Sequence, residues 1–205
     1  MERNKIIHIL LTGGVGSRLW PLSRKSNPKQ YINLFGDKCL FEITIERNQN
    51  FADTLCVVGN KANEHLSRKV VDQKEITAVS FITEATPRNT APAIAFAAFS
   101  ALPDDVLLVT PSDHIITANE AYTKAINKAL DLAKEGNIVT FGITPQHAET
   151  GYGYIEFDGD EVISFREKPN LETAKDFIRK KNFLWNSGMF CFKAGVFLRE
   201  LQKYA

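Results

Sequence analysis

Residues 6–21 of the chain read IIHILLTGGVGSRLWP, and this stretch decides the fold. Its first six residues are a short apolar run, which predicts a buried strand at Ile6–Leu11. A glycine-rich segment follows the strand directly. Ligands bind beyond the carboxyl ends of strands in open α/β sheets, and glycines let the backbone approach phosphate oxygens closely. The stretch therefore predicts an α/β fold with a candidate phosphate-binding loop after its first strand.

Short apolar runs and helical patterns alternate through the next part of the chain. Further strands are predicted at Leu55–Gly59, Val79–Thr83, Val106–Thr110 and Ile138–Gly142. Helices are predicted at Leu40–Asn48, Asn63–Val71, Ala91–Ser100 and Asn119–Lys134. The last helix has the clearest apolar face, formed by Ala121, Tyr122, Ala125, Ile126, Ala129, Leu130 and Ala133. This alternation predicts a mostly parallel central sheet flanked by helices.

The pattern changes after about Thr144. A hairpin is predicted from Tyr152–Phe157 and Glu161–Phe165, followed by a helix at Leu171–Lys181, a strand at Leu184–Phe192 and a helix near Val196–Leu201. We therefore expect a nucleotide-binding half at about 1–144. A β-rich half at about 145–205 could close over a second substrate.

Composition limits the classes of function. The chain has 205 residues, of which 44% are hydrophobic, and its net charge of +1 gives no global field that favours nucleic acid or a membrane surface as a partner. No apolar run approaches the roughly 20 residues of a membrane span, and no secretory signal is seen at the amino terminus. The three cysteines, Cys39, Cys56 and Cys191, are far apart and lack metal-binding spacing. We interpret them as core residues of a cytoplasmic protein.

The glycine-rich segment is locally basic. Residues 15–36 contain no acidic residue but four cations, Arg18, Arg24, Lys25 and Lys29. The segment lacks the Gly-Lys-Ser/Thr ending of a P-loop, and Trp20 and Pro21 stand where a dinucleotide-binding fold would begin its helix. The simplest alternative is a tight turn with solvated cations, but this charge beside three glycines favours a phosphate site.

Several motifs occur in one order along nearly the whole chain. They are residues 11–24 (LTGGVGSRLWPLSR), 28–30 (PKQ), 87–92 (PRNTAP), 111–114 (PSDH), 150–154 (TGYGY), 167–169 (EKP) and 185–188 (WNSG). Together they closely resemble the sugar nucleotidyltransferase family, and within it the mannose-1-phosphate guanylyltransferases. Thr12 and Ser17 stand where that family often has Ala and Thr. The resemblance implies the Rossmann-like fold of nucleotide-diphospho-sugar transferases.

The resemblance also implies a reaction and a set of site residues. GMP would pass from GTP to α-D-mannose 1-phosphate, giving GDP-mannose and pyrophosphate, with Mg2+ as cofactor. Nucleotide-binding positions would be Leu11, Thr12, Gly13, Gly14, Gly16, Ser17, Arg88, Asn89 and Thr90. The catalytic positions would be Arg18 against the leaving pyrophosphate, Lys29 on the reacting phosphates and Asp113 as metal ligand. Sugar-phosphate positions would be Gly153, Glu167, Lys168 and Asn186, so the half at about 145–205 would be the sugar-binding half.

Most of these residues also have a simpler structural interpretation. Asp113 alone, after an apolar strand, is typical of a turn or helix cap, and Asn89 could simply cap a helix, as could its neighbour Thr90. The two residues 167–168 could be a solvated ion pair, which contributes about 0–1 kcal/mol. Lys29 could be a surface lysine. His114 is interpreted as structural, because a phosphate oxygen is already an anionic nucleophile and needs no base.

The family's second metal-binding Asp comes from beyond this length, so we expect a catalytic domain truncated at its carboxyl terminus. A carboxy-terminal β-helix or isomerase domain, which many family members carry, is likewise not seen.

Three functions remain open from the sequence. The first is the guanylyltransferase or its amino-terminal fragment. A uridylyl or thymidylyl transferase acting on glucose 1-phosphate is the nearest alternative, and the motifs at residues 87–92 and 185–188 argue against it. A non-catalytic module that binds GTP or GDP-mannose is the third. A homodimer is compatible with the sequence.

Overall fold

The computed structural model describes residues 3–14, 19–34, 36–86 and 89–204. Within this part the chain forms two compact units. One contains the residues up to Val139 together with those from Phe190 onward, and the other is Thr140–Met189. No helix among the described residues is long and apolar enough to cross a membrane.

The first unit is built on four parallel strands in the order β3–β2–β1–β4. The strands are β1 (Ile6–Leu11), β2 (Thr54–Asn60), β3 (Val79–Glu84) and β4 (Val106–Pro111). The helices between and after them are α1 (Leu40–Asn48), α2 (Glu64–Gln73), α3 (Thr90–Phe99) and α4 (Asn119–Lys134). The predicted α/β class with a mostly parallel sheet is confirmed.

Both faces of this sheet are buried, which explains why its strands are continuous apolar runs. On one face Ile9 belongs to a cluster with Ile94 of α3. On the other face Leu10 belongs to a cluster with Phe41 of α1. The three free cysteines are all buried, which confirms their interpretation as core residues.

The register of the sheet places two loops side by side. Leu11, the last residue of β1, pairs with Pro111, the last residue of β4. The amide of Ser112 then donates to the carbonyl of Leu11 at 3.0 Å. The glycine-rich loop and the loop that carries Asp113 therefore both begin at the same place on the carboxyl edge of the sheet.

The last residues of the chain return to the first unit, which the expected boundary near residue 144 did not anticipate. The strand that ends there covers Phe183–Lys193, and its residues 190–193 pair antiparallel with β4. The helix that follows, Ala194–Tyr204, contributes Phe197 and Leu198 to the cluster around α3. Burial of these aromatic and aliphatic side chains explains why the segment belongs to this unit.

The second unit contains the predicted hairpin. Its elements are β5 (Val139–Ile143, whose first residue lies in the first unit), β6 (Tyr154–Asp158), β7 (Glu161–Arg166) and α5 (Leu171–Lys180). The strand Phe183–Lys193 is β8, and its residues up to Met189 also belong to this unit. The helix Ala194–Tyr204, which belongs to the first unit, is α6. β6 pairs antiparallel with β7 and with β8. The buried core of the unit consists of Tyr154, Ala174, Phe177, Phe183 and Trp185.

Candidate active site

The start of the glycine-rich loop is bound to β2. Both the amide and the hydroxyl of Thr12 donate to the carbonyl of Val58, at 2.8 and 3.1 Å, and Thr12 is buried. A Cβ on Gly59 would overlap the Thr12 hydroxyl, so glycine at that position makes room for it. The Thr12 side chain is thus bound inside the fold, and a nucleotide would meet the backbone of this loop.

Two of the predicted phosphate-binding glycines lie in open space. Gly13 and Gly14 are exposed, and a Cβ added to either would meet no described atom within 4 Å. No steric reason within the described fold therefore requires glycine at these two positions. Gly16, Ser17 and Arg18 lie outside the described residues, and their roles stay predictions.

Lys29 and Asp113 are brought together at the carboxyl edge of the sheet. Lys29 opens a short 3-10 helix, Lys29–Tyr31, preceded by Pro28 in extended conformation. Its Nζ forms an ion pair with Oδ2 of Asp113, and the two side chains are 31% and 24% exposed. The ion pair shows that neither side chain is isolated. A cation and a carboxylate stand next to a glycine-rich loop, which is an arrangement suited to phosphate and metal.

His114 and Arg47 support the loop that carries Asp113. Arg47, on α1, donates to the carbonyl of His114 at 3.2 Å and to the hydroxyl of Thr44 at 3.3 Å. Burial lowers the pKa of His114, and the charge of Asp113 only partly opposes this effect. A neutral imidazole that is 3.9 Å from the Asp113 carboxylate supports a structural role. Sequence reasoning missed Arg47, because nothing in a single arginine of an ordinary helix marks such a contact.

Asn89 holds an unusual backbone conformation at the start of α3. Its φ is 75° and its ψ is −175°, a region that costs a non-glycine residue about 1–3 kcal/mol. Its side chain is exposed and makes no capping hydrogen bond within the described part of the chain. Simple capping by Asn89 is therefore not supported, and its side-chain amide is accessible to a ligand. Thr90 begins the helix, whereas Arg88 lies outside the described residues.

Three of the four predicted sugar-phosphate residues meet in the second unit. The amide of Asn186 donates to the carbonyl of Gly153 at 2.8 Å. A Cβ on Gly153 would lie 2.5 Å from Oε1 of Glu167, so the carboxylate lies directly against this glycine. Lys168 follows with a left-handed backbone, at φ 50°. Among the described ion pairs none joins Glu167 to Lys168, so the alternative interpretation as a solvated pair has no support.

The donor set at Asp113 fits Mg2+ only in company with a substrate. The described residues contain no group of three or more His, Cys, Asp or Glu side chains that could hold a metal ion. Mg2+ commonly keeps several waters and binds through one or two carboxylates plus substrate phosphates. A single carboxylate beside a candidate phosphate-binding loop is consistent with that mode of binding.

Comparisons with known proteins show the family of the chain. The Nucleotidyl transferase family model matches residues 7–205. A mannose-1-phosphate guanylyltransferase of Salmonella muenchen is 41% identical over 97% of this chain and 45% of its own length. The mannose-1-phosphate guanylyltransferase of Escherichia coli K12 is 40% identical over 100% of this chain and 46% of its own length. The chain thus spans less than half the length of these relatives.

Solved structures are similar over nearly the whole chain. The crystal structure of a mannose-6-phosphate isomerase from Helicobacter pylori has a TM-score of 0.86 and 41% identity, covering 98% of this chain and 75% of that one. A glucose-1-phosphate thymidylyltransferase structure from Bacillus anthracis has a TM-score of 0.72 at 15% identity, covering 98% of this chain and 76% of that one, which shows the fold alone. The match of the family model over almost the entire chain decides the family. The chain belongs to the nucleotidyl transferase family.

Proposed function

We propose that this chain transfers the GMP unit of GTP to mannose 1-phosphate, forming GDP-mannose and pyrophosphate. The observation that carries the proposal is the Lys29–Asp113 pair, held beside Gly13 and Gly14 at the carboxyl edge of the parallel sheet. Relatives named mannose-1-phosphate guanylyltransferase, at about 40% identity, support the choice of base and sugar.

The chemistry asks little covalent work of the protein. A phosphate oxygen of mannose 1-phosphate attacks the α-phosphorus of GTP, a new P–O bond forms, and the bond between the α-phosphorus and the bridging oxygen breaks. The electron pair of that bond leaves with pyrophosphate. The nucleophile is already anionic, so the neutral His114 is not needed as a base. Positioning of the two substrates and neutralisation of charge must supply most of the rate enhancement.

The described residues suit those two tasks. The exposed backbone of Gly13 and Gly14 can approach phosphate oxygens without steric hindrance from the described fold. The Lys29 ammonium would contact the reacting phosphates. Asp113 would hold Mg2+, which when bound would neutralise negative charge on the triphosphate. Arg18 would stabilise the pyrophosphate that leaves.

The Lys29–Asp113 ion pair prepares both groups for the nucleotide. Each side chain is only partly buried, so the pair contributes about 0–1 kcal/mol and is easily exchanged for other partners. Phosphate oxygens would take the lysine, while the metal would take the carboxylate. Until then the pair keeps both charges at the site. We infer that little free energy is lost when the substrates replace it.

Base and sugar recognition are assigned to residues in separate units. Asn89 and Thr90, with Arg88, would read the guanine, since the side chain of Asn89 is exposed and the first turn of α3 offers unsatisfied amide groups. In the second unit the Glu167 carboxylate and the Asn186 amide would bind hexose hydroxyls, and Lys168 would bind the 1-phosphate. Gly153 lets Glu167 lie close to the backbone.

Calorimetry with a panel of nucleotides tests the assignment. We expect GTP and GDP-mannose to bind in the presence of Mg2+, and UTP, dTTP and UDP-glucose to bind at least about tenfold more weakly, a difference of about 1.4 kcal/mol. Asp113→Asn should weaken the Mg2+ dependence of GTP binding, whereas Asp131→Asn should not, because Asp131 is 74% exposed on α4. Preferential binding of UTP or dTTP would replace the proposal with a uridylyl or thymidylyl transferase. Binding of GTP without turnover would assign the chain as a non-catalytic module.

A further inference from the structure

Gln30 is a buried polar residue to which the motifs assign no role. It is only 1% exposed and is among the largest fully buried side chains of the described chain. Its Nε2 donates to the carbonyl of Thr12 at 2.8 Å and to the carbonyl of Gly14 at 3.2 Å. Both partners are acceptors, so only the amide nitrogen can make these bonds and the orientation of the side chain is fixed.

These two bonds decide which way the peptide groups of the loop face. In a trans peptide the C=O of one residue and the N–H of the next point in opposite directions. The carbonyl of Thr12 points inward to Gln30, so the N–H of Gly13 points away from Gln30. A Cβ on Gly13 would meet no described atom within 4 Å, so the space around this residue is open. Gln30 thus turns a backbone donor toward the place where a phosphate would bind.

The 3-10 helix that carries Gln30 also connects three parts of the first unit. Lys29 forms the ion pair with Asp113, after β4. The hydroxyl of Tyr31 forms a 2.6 Å hydrogen bond with Ser67 on α2. Gln30 lies between them and holds the loop after β1. Because the three residues are consecutive, the position of the site cation and the orientation of the glycine-rich loop are linked.

We propose that Gln30 is a positioning residue that holds the start of the glycine-rich loop with the N–H of Gly13 facing the nucleotide phosphates. The identity of the ligand rests on the proposed function. The geometry of the loop does not, because it can be measured without any ligand. Gln30 acts through the backbone of residues 12–14 and does not itself touch the substrate.

Two substitutions separate the hydrogen bonds from the volume of the side chain. Gln30→Met has similar length but no donor, so both bonds are lost at every pH. Gln30→Glu has nearly the same shape, and its carboxyl can donate one bond when protonated but none when ionised. Gln202→Met and Gln202→Glu are the matched controls, because Gln202 is exposed on α6.

Backbone order and affinity are the two measurements. We expect the 15N order parameter of Gly13 to fall from about 0.85 to below about 0.6 in Gln30→Met, while thermal unfolding stays cooperative. If the competent loop orientation falls to between about 10% and 1% of molecules, the Kd for GTP rises about 10- to 100-fold. Gln30→Glu should bind GTP more tightly at pH 5 than at pH 8, because only the protonated carboxyl can donate a hydrogen bond to the loop. Neither Gln202 variant should change the pH dependence of GTP binding relative to the wild-type chain.

The outcomes are separable. Unchanged order at Gly13 in Gln30→Met would overturn the proposal, whether or not the wild-type chain binds GTP. Loss of order with an unchanged Kd for GTP would also overturn it. If Gln30→Met fails to fold, Gln30→Glu decides between the two roles. A merely structural role predicts equal losses of GTP affinity and mannose 1-phosphate affinity, whereas the proposed role predicts a larger loss of GTP affinity. Failure of the wild-type chain to bind GTP would refute the proposed function and leave the order parameters to decide the role of Gln30.

Discussion

Replacement of Lys29 by alanine separates the chemistry of the site from the stability of the fold. The Lys29 ammonium contacts Asp113, and the two side chains are 31% and 24% exposed. Solvent-exposed ion pairs contribute about 0.2–1 kcal/mol, and we use this range because both side chains still reach solvent. We therefore expect Lys29→Ala to lower the free energy of unfolding by less than about 1 kcal/mol. This loss corresponds to a fall in Tm of about 2–4 °C at most for a chain of this size.

The expected loss of turnover is much larger. A preorganised donor that faces charge developing in a transition state contributes about 2.7–4 kcal/mol, so its removal slows the reaction about 100- to 1,000-fold. The Lys29→Ala chain should therefore release pyrophosphate from GTP and mannose 1-phosphate at about a hundredth of the wild-type rate or less. The contrast between a small loss of stability and a large loss of rate is the prediction.

A coupled pyrophosphate assay and thermal unfolding by circular dichroism measure the two quantities. Lys38→Ala is the control, because Lys38 forms an exposed ion pair with Glu46 at 2.7 Å and neither residue is a candidate site residue. The control should show a similar small change in Tm and an unchanged rate. The reasoning is refuted if Lys29→Ala unfolds at assay temperature, or if its rate equals that of Lys38→Ala.

The same geometry makes four further predictions testable. Gly14→Ala should leave the free energy of unfolding unchanged or raise it by about 0.4–1 kcal/mol, since the added Cβ meets open space. Calorimetry should show weaker GTP binding, and an affinity equal to that of the wild-type chain would contradict the phosphate role. Gly153→Ala should displace Glu167 and lower kcat/KM for mannose 1-phosphate about 100-fold, with the KM for GTP unchanged; a rise in the KM for GTP alone would contradict this assignment. Asn89→Gly should relieve the strain of a positive φ and raise the free energy of unfolding by about 1 kcal/mol. It should also weaken the discrimination of GTP from ATP in binding, and intact discrimination would remove Asn89 from the site. Burial lowers the pKa of His8 to about 3, so the unfolded chain takes up a proton there below its usual pKa and the folded chain does not. The free energy of unfolding, measured with urea, should therefore fall as the pH drops from about 6.5 toward 3, by up to about 1.4 kcal/mol per pH unit. The fall should be less steep in His8→Gln, and equal slopes in the two proteins would contradict this prediction.

Local patterns were sufficient for most of the secondary structure. The bounds of β1, α1 and α4 agree with those predicted, because each is a strongly apolar or periodic run with a clear end. The inward face of α4 was predicted too wide. Ala121 and Ala125 are exposed, whereas Tyr122 and Ile126 are buried. Alanine has only one methyl group, so its burial follows from its larger neighbours and not from its own hydrophobicity.

Nonlocal pairing could not be predicted in the same way. Residues 190–193 return to β4 of the first unit, and no pattern within the segment names its partner strand. The hairpin strand was expected to begin at Tyr152 but begins at Tyr154. The preceding backbone forms a turn instead, in which the Gly151 amide donates to Glu149 at 2.7 Å. Side-chain acceptors of this kind compete with strand pairing and leave little trace in hydrophobic periodicity.

Motifs identified candidate site residues better than the residues that support them. The proximity of Lys29 and Asp113 agrees with roles that the family resemblance implied. The inward hydrogen bond of Thr12 joins residues 46 positions apart, and the two bonds of Gln30 join residues 18 and 16 positions apart. Such contacts become visible only in the folded chain. The sequence therefore predicts the candidate groups, and the structure explains how several of them are held.

Product formation followed by 31P NMR tests the central proposal most directly. The chain would be mixed with GTP, mannose 1-phosphate and Mg2+, and each component would be omitted in turn. We predict that the diphosphate signals of GDP-mannose and the signal of pyrophosphate grow together in equal amounts, and only when all three components are present. Release of inorganic phosphate from GTP, or the absence of GDP-mannose while GTP is bound, would contradict the proposed transfer reaction.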